Sequence, residues 1–191
     1  MAARVRKPKP TLDSIFFVTP EQKLIKFLVS EPTTSFTPRV LASKLKGVRG
    51  LGGAEGLVKI LAEMEEVGIV QFIDNKRAVC LNNDHISIKL LKTYSAVCDL
   101  EGIVQLAQPL SSKGVLYGSR ATGRSTSDSN YDLFIVTDRC DEIKSQIESH
   151  PLGKQISANC MTASEYSEVS KKDSELADKI EKGILLWGSS W

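Results

Sequence analysis

Apolar residues recur at helical spacing in the first third of the chain, with a recognisable start before each run. Thr19-Pro20-Glu21 is typical of a helix start, because threonine caps free amide groups and proline fits the first turn. This helix is predicted to end at Glu31-Pro32, and a second start lies at Thr37-Pro38. A third helix is predicted over about residues 54–66. Its inward-facing apolar residues are Leu57, Ile60, Leu61 and Met64.

The pattern then changes to two short β-rich runs. Residues 69–73 and 78–81 are separated by Asp74-Asn75-Lys76-Arg77, which predicts a β-hairpin, and Gly68 ends the preceding helix. Helices followed by a hairpin in this order resemble a winged helix-turn-helix domain, which would span residues 15–84. The resemblance implies that the third helix enters the major groove of double-stranded DNA while the hairpin lies against the DNA backbone.

The charges of this region favour DNA binding at some positions and oppose it at others. Candidate DNA-binding cations precede the third helix, lie on it or lie at the hairpin tip: Lys44, Lys46, Arg49, Lys59, Lys76 and Arg77. More cations occur in residues 1–14, which we expect to form a basic flexible arm. The exposed face of the third helix also carries glutamates that would repel phosphates, namely Glu55, Glu63, Glu65 and Glu66. Two interpretations stay open: a DNA-binding domain, or a dimerisation or scaffolding domain with solvated charges.

Residues 85–191 alternate between helical and short apolar segments, which predicts an α/β (α+β) domain. A helix over about 86–106 would link the two parts of the chain, and Pro109 closes it. Strands are predicted in the apolar runs that begin at Gly114 and end at Val136. Later segments are a helix at 141–149, a strand at 156–161, helices at 165–171 and 174–182, and an apolar piece at 183–188.

The most informative segment lies between the first two of these strands. Gly118-Ser119 directly follows an apolar run, and its small residues let backbone amides and a hydroxyl approach a phosphate closely. Asp132 stands at the start of the next strand, where a carboxylate can hold a metal ion against that phosphate. The spacing therefore predicts a phosphate-binding turn beside a metal ligand.

This segment resembles the signature of the nucleotidyltransferase superfamily, in particular its minimal members. The family pattern is a hydrophobic residue, Gly-Ser, a polar spacer, and then acidic-hydrophobic-acidic. Gly118–Gly123 and Ser129–Leu133 fit this pattern, except that Asn130 stands where the family has its first metal-binding aspartate. The segment from Met161 to Gly188 also resembles the ends of small nucleotidyltransferase-like proteins, so the resemblance covers about residues 86–191. It implies a nucleotidyltransferase-like domain with a mixed sheet flanked by helices.

The resemblance implies a role for each polar residue of the segment. The implied nucleotide-binding residues are Gly118, Ser119, Arg120, Arg124 and Asn130. Asp132 and Asn130 are the implied ligands of Mg²⁺. Asp132 is the implied catalytic carboxylate, and Asp128 is the candidate to replace the missing one. One carboxylate and one amide would hold a hard divalent cation weakly. The third acid of the family is also missing from the strand at 156–161, where Asn159 is the nearest polar residue.

Three functions are consistent with this pattern. The first is a nucleotidyltransferase-like protein with degenerate carboxylates that acts as a DNA-binding or regulatory factor and binds a nucleotide. The second is an active Mg²⁺-dependent nucleotidyltransferase that moves a nucleotidyl group from a nucleoside triphosphate to a protein or small-molecule hydroxyl. The third is an antitoxin-like protein-interaction module. A protein partner or a homodimer is expected in the first and third cases.

Composition indicates the class of protein and its environment but says little about its function. Hydrophobic residues make up 41% and charged residues 25% of the 191 positions, which is typical of a globular protein, and no apolar run is long enough to span a bilayer. Residues 1–84 hold thirteen Lys and Arg against nine Asp and Glu, a formal charge of +4, whereas residues 85–191 hold twelve against fourteen, or −2. The four cysteines show no metal-ligand spacing, and we expect buried, reduced thiols in a cytoplasmic protein.

Overall fold

A computed structural model describes residues 10–189 of the chain, and its first part consists of short capped helices. The helices are α1 (Leu12–Phe16), α2 (Pro20–Ser30), α3 (Pro38–Lys44) and α4 (Gly53–Glu66). Threonine side chains at positions 11, 19 and 37 accept hydrogen bonds from amides in the first turns of α1, α2 and α3. The predicted starts of α2 and α3 are thus confirmed. Residues 1–9 of the predicted basic arm lie outside the described residues.

The predicted hairpin follows α4. Strands β1 (Val70–Ile73) and β2 (Ala78–Leu81) pair in antiparallel register, and three successive residues of the connecting turn, from Asp74 to Lys76, have positive φ. An isolated bridge joins Phe36 to Val79 and ties the segment before α3 to the hairpin. One apolar core holds α2, α3, α4 and the hairpin together.

The predicted helix over 86–106 is in fact two helices. They are α5 (Ile86–Asp99) and α6 (Glu101–Ala107), and the chain changes direction at the fully buried Leu100. Near its start, α5 contributes Ile88 to the first core, whereas Ala96 near its end belongs to the core of the second part. Helix α5 therefore connects both cores.

The second part is built on a four-stranded mixed sheet, so the coarse prediction of an α+β chain is confirmed. Its strands are β3 (Lys113–Tyr117), β4 (Tyr131–Val136), β5 (Ile156–Met161) and β6 (Ile184–Trp187), in the spatial order β5-β4-β3-β6. Strand β4 is parallel to β5 and antiparallel to β3, and β3 is antiparallel to β6. The helices of this part are α7 (Gly118–Ala121), α8 (Cys140–Ser149), α9 (Ala163–Lys172) and α10 (Ser174–Glu181).

Side chains of β4 alternate between the two faces of the sheet, as pleated strands require. Tyr131, Leu133 and Ile135 pack in the core formed with α6 and α8. Phe134 packs on the other face, in a smaller core with Tyr166 of α9 and Ile180 of α10. Asp132 falls on this second face, at the end of the strand where the apolar contacts stop.

Two further sequence expectations can be compared with the structure. All four cysteines are free thiols, but only Cys98 is buried, while Cys80, Cys140 and Cys160 are partly exposed. The expectation of buried thiols is therefore wrong for three of them, which lie at the edges of the cores. Within residues 10–189, no helix is both long enough and apolar enough to cross a membrane.

Candidate functional site

Gly118 and Asp132 lie in direct proximity at the end of the β3–β4 pair. Tyr117 is opposite Asp132 in the antiparallel register, and the chain turns into α7 at Gly118. Gly118 has φ of +75°, and a Cβ atom placed on it would collide with Oδ2 of Asp132. Glycine is therefore required here for two reasons, a left-handed backbone and lack of space. The sequence motif does bring its glycine and its carboxylate together.

The face around Asp132 is polar but contains few charges. In the parallel register, Asp132 is opposite Ser157 of β5, and Asn159 lies two residues further along the same face. Burial raises the pKa of the Asp132 carboxyl, and the positive charge of Arg120 opposes this effect. Burial also raises the pKa of Tyr117, with a further contribution from the charge of Asp132, whereas Asn159 acts in the opposite direction. No neighbouring charge fully compensates the carboxylate of Asp132.

The residues present do not fit a site for two metal ions. Within the described part of the chain, no group of three or more His, Cys, Asp or Glu side chains is placed to hold a metal ion. Asn130 and Asp128 are both solvent-exposed, and Asp132 is partly exposed. The third family position holds no acid, since β5 offers Ser157 and Asn159 at this end of the sheet. Among the candidate ligands, Asp132 is the carboxylate that lies against Gly118.

Arg120 interacts mainly with the opposite face. Its Nε and one terminal nitrogen donate to the backbone carbonyl oxygen of Ser129 at 3.0 and 2.7 Å, and its guanidinium lies 3.8 Å from the centre of the Tyr131 ring. Tyr131 and Asp132 are neighbours in a strand, so their side chains point to opposite faces. Arg120 thus closes the loop between α7 and β4 rather than forming an ion pair with Asp128 or Asp132.

Ser119 and Arg124 lie at either end of the turn that leaves α7. The backbone amide of Arg124 donates to the carbonyl oxygen of Ser119 at 2.9 Å. The Ser119 hydroxyl forms no hydrogen bond with any described residue, so it is available to a ligand. The Arg124 side chain is exposed and borders a cleft between the two parts of the chain, together with Lys89 and Lys92 of α5.

Sequence reasoning missed a second polar site, on the Tyr131 face. A cavity of about 270 Å³ there is bordered by Arg120 and Tyr131, by Lys92, Ser95 and Asp99 of α5, and by the end of α2. The Tyr131 hydroxyl donates to Oδ2 of Asp99 at 2.8 Å. The available signal was the position of Lys92 four residues after Ile88, on the buried face of an amphipathic helix. A lysine at that position indicates either a paired charge or a binding site.

The six candidate DNA-binding cations are all exposed: Lys44, Lys46, Arg49, Lys59, Lys76 and Arg77. None of them forms an ion pair within residues 10–189. Of the four glutamates expected to face outward from α4, Glu55, Glu63 and Glu66 are exposed. Glu65 is only partly exposed, because its carboxylate accepts a hydrogen bond from the backbone amide of Phe72 at 2.9 Å. Glu65, one of the four glutamates predicted to repel phosphates, therefore forms a hydrogen bond that joins α4 to the hairpin.

Comparison of the chain with protein-family models, with curated proteins and with solved structures found no significant match.

Proposed function

We propose that this chain is a DNA-binding regulatory protein whose second part has a nucleotidyltransferase-like fold that binds a nucleotide without transferring it. One observation carries the proposal. Gly118 lies against Asp132, as a phosphate-binding turn beside a carboxylate requires, whereas the other expected acidic positions hold Asn130 and the polar residues of β5. The turn that would bind a phosphate is present, whereas most of the carboxylates that would hold metal ions are missing. The chain could therefore bind a nucleotide without catalysing its transfer.

The Gly118-Ser119 turn has the features that nucleotide binding needs. At Gly118 the chain turns into α7, whose first backbone amides have no partner within the helix, and the Ser119 hydroxyl has no protein partner among the described residues. A phosphate can accept hydrogen bonds from both groups. The unpaired carboxylate of Asp132 repels that phosphate unless a cation or a proton intervenes. We therefore infer weak nucleotide binding, strengthened modestly by Mg²⁺.

Calorimetric titration of ATP and GTP, with and without Mg²⁺, tests the nucleotide-binding part. Ser119→Ala should weaken binding by about tenfold, because one hydrogen bond to a charged group is lost. Ser145→Ala is the matched control, because Ser145 is an exposed serine on α8, remote from the turn. Binding that is equal in both variants would contradict the proposed site. A labelled transfer product, lost in Asp132→Ala, would replace the proposal with that of an active transferase.

The DNA-binding part rests on the first 84 residues. The cations before α4 and at the hairpin tip are exposed and unpaired in the described structure, and Glu65 is turned into a contact with Phe72. The exposed Glu55, Glu63 and Glu66 oppose phosphates along α4, so contacts from the hairpin and from the turn before α4 would have to dominate. Affinity should then depend strongly on salt and weakly on sequence.

Fluorescence anisotropy with a labelled DNA duplex, measured over a range of salt concentrations, tests this part. The double variant Lys76→Gln/Arg77→Gln should weaken binding and reduce the slope of log K against log salt by roughly 0.9 per lost phosphate contact. Lys144→Gln, which removes an exposed cation on α8, is the control. Absence of DNA affinity, together with co-purification of a fixed protein partner, would favour the interaction-module alternative.

A further inference from the structure

A second cleft in the molecule, between the two parts of the chain, is rich in cations. It has a volume of about 280 Å³. Its walls include Thr33 and Asn83 from the first part, Lys89 and Lys92 from α5, and Arg124 and Thr126 from the loop after α7. Neither Gly118 nor Ser119 borders it. It is therefore distinct from the nucleotide site proposed above.

The charges of this cleft do not balance. Lys89, Lys92 and Arg124 face a single carboxylate, that of Asp84. Nζ of Lys89 is 3.7 Å from the Asp84 carboxylate, whose side chain is fully exposed, so water screens this pair strongly. Lys92 and Arg124 form no ion pair with any residue between 10 and 189. The cleft thus has two cations without an anionic partner.

Lys92 is the more unusual of these two cations. It is only 4% exposed, and its Nζ donates to a neutral group, Oδ1 of Asn83, at 3.1 Å. Burial lowers the pKa of Lys92, and the charges of Arg120 and Lys89 lower it further. A buried ammonium without an anion is unfavourable, and an anion in the cleft would remove that penalty.

Hydroxyl groups complete the set of donors. Ser125 is 5% exposed and borders both this cleft and the cavity beside Tyr131, yet its hydroxyl bonds to no described residue. Thr33 from the first part reaches across to the loop, where its hydroxyl lies 3.1 Å from that of Ser127. Phosphate oxygens accept hydrogen bonds from hydroxyl, ammonium and guanidinium groups.

We propose that this cleft binds the phosphate group of a small phosphate ester. The volume lies at the lower limit of small-ligand sites, about 300 Å³, which suits a compact ester. The cleft is concave and lies between the two parts of the chain, whereas the cations proposed to contact DNA are on the hairpin and beside α4. Because residues of both parts surround it, a bound phosphate would hold the loop after α7 against the first part. The fraction of molecules in which the two parts are held together would then rise with the concentration of the ligand.

Calorimetric titration of the full chain with inorganic phosphate and with glycerol phosphate, at constant ionic strength set by sodium chloride, tests the proposal. Arg124→Gln should weaken binding of both probes by about tenfold, since a hydrogen bond to a charged group is lost. Lys92→Met should weaken it at least as much. Arg124 is exposed and contacts no other charged group, so its variant should fold even where Lys92→Met does not. Lys144→Gln is the control and should leave the affinity unchanged.

Ser119→Ala separates this site from the Gly118-Ser119 turn. Phosphate affinity that is kept in Ser119→Ala and lost in Arg124→Gln supports the cleft. The reverse pattern places the phosphate at the turn and overturns the proposal. No binding of either probe at millimolar concentration, or equal affinity in the wild type and Arg124→Gln, also overturns it. Tighter binding of glycerol phosphate than of inorganic phosphate would indicate an ester, and the opposite order would indicate the free ion as ligand.

Discussion

The two faces of strand β4 end in opposite chemical environments, although neighbouring residues create them. Asp132 presents a carboxylate to a face where, within residues 10–189, no three metal-ligating side chains meet, and where burial raises the pKa of this carboxyl although Arg120 opposes the effect. Tyr131 points to the other face, where Arg120 stacks on its ring and Lys92 borders the same cavity without forming an ion pair with any residue between 10 and 189. The Asp132 face brings one carboxylate against the glycine turn, whereas the Tyr131 face holds charges of both signs, with Arg120 and Lys92 in the same cavity as Glu31 and Asp99.

This difference bears on where a phosphate would bind most favourably. On the Asp132 face, a phosphate would meet a carboxylate of the same sign, and only the backbone and one hydroxyl would oppose the repulsion. In the cleft beyond the Tyr131 face, a phosphate would meet unpaired cations. The loop between α7 and β4 connects both places, because it begins directly after the helix that carries Ser119 and contains Arg124, which borders the cleft. Changes in this loop should therefore separate the two sites.

The largest effect is expected from Gly123→Ala, which disrupts the packing of the loop after α7 against α5. Gly123 has φ of +68°, and a Cβ atom on it would collide with the backbone carbonyl of Lys89. The backbone of α5 cannot move away from the new Cβ atom as the end of a flexible side chain could. We therefore expect the free energy of unfolding to fall by about 3 kcal/mol. Thermal and urea unfolding measure this. Gly47→Ala is the control, because a Cβ atom there meets nothing within 4 Å. Equal stability of the two variants would show that the loop does not rest on α5.

Tyr131→Phe tests the side of β4 that carries the cations. It removes the hydrogen bond of 2.8 Å to Asp99 and leaves that carboxylate beside the cavity, which should lower the free energy of unfolding by about 2 kcal/mol. Urea unfolding at neutral pH is the measurement. Tyr94→Phe serves as comparison, since the Tyr94 hydroxyl has no hydrogen bond to a carboxylate. A loss in Tyr131→Phe no larger than in Tyr94→Phe would contradict the pairing with Asp99.

A double-mutant cycle with Gly118→Ala and Asp132→Ala tests the contact on the other face. In the wild-type background, Gly118→Ala introduces both a strained left-handed alanine and a collision with the Asp132 carboxylate. In the Asp132→Ala background, only the strain remains. We expect the two substitutions to couple by about 1 kcal/mol in unfolding experiments. Additive effects would mean that the turn and the carboxylate are not in contact.

Asp132→Asn should give the smallest effect, and one of opposite sign. Burial raises the pKa of Asp132, so the folded protein holds this proton more tightly than the unfolded chain does. The stabilising contribution is complete below the unfolded pKa, near 3.8, and is lost as the pH rises through the folded value. Asn should therefore stabilise the protein at neutral pH by less than about 1 kcal/mol, since the carboxyl keeps part of its hydration.

Unfolding curves of Asp132→Asn and wild type, measured from acid to neutral pH, check this sign. The gain should vanish below pH 3.8, where both states of the wild type are protonated. Asp138→Asn, an exposed carboxylate at the other end of the same strand, is the control. Destabilisation of Asp132→Asn at neutral pH would indicate that a bound cation compensates the carboxylate and would reopen the metal-site interpretation.

Much of the secondary structure could be predicted because its signals are local. Threonine-proline pairs mark the starts of α2 and α3, and the turn after Ile73 marks the hairpin. The predicted helix over 86–106 was wrong in one respect, because its apolar residues continue at helical spacing past Leu100 and the helical pattern alone does not show a break there. Leu100 is fully buried in the core of the second part, and the chain passes there from α5 to α6. The proximity of Gly118 and Asp132 was anticipated from the motif, whereas the position of Arg120 on the opposite face was not.

The sequence by itself determined where helices and strands begin, that the chain is α+β, and that one carboxylate stands where the family pattern has several. These properties depend on the identity and spacing of nearby residues. Tertiary structure alone decided that Lys92 is buried without an ion pair to any residue between 10 and 189, that Arg124 joins it in a cleft, and that Glu65 bonds to the hairpin. Pairing of charges depends on which distant segments meet, because electrostatic and hydrogen-bond partners are selected by distance in space rather than by position along the chain.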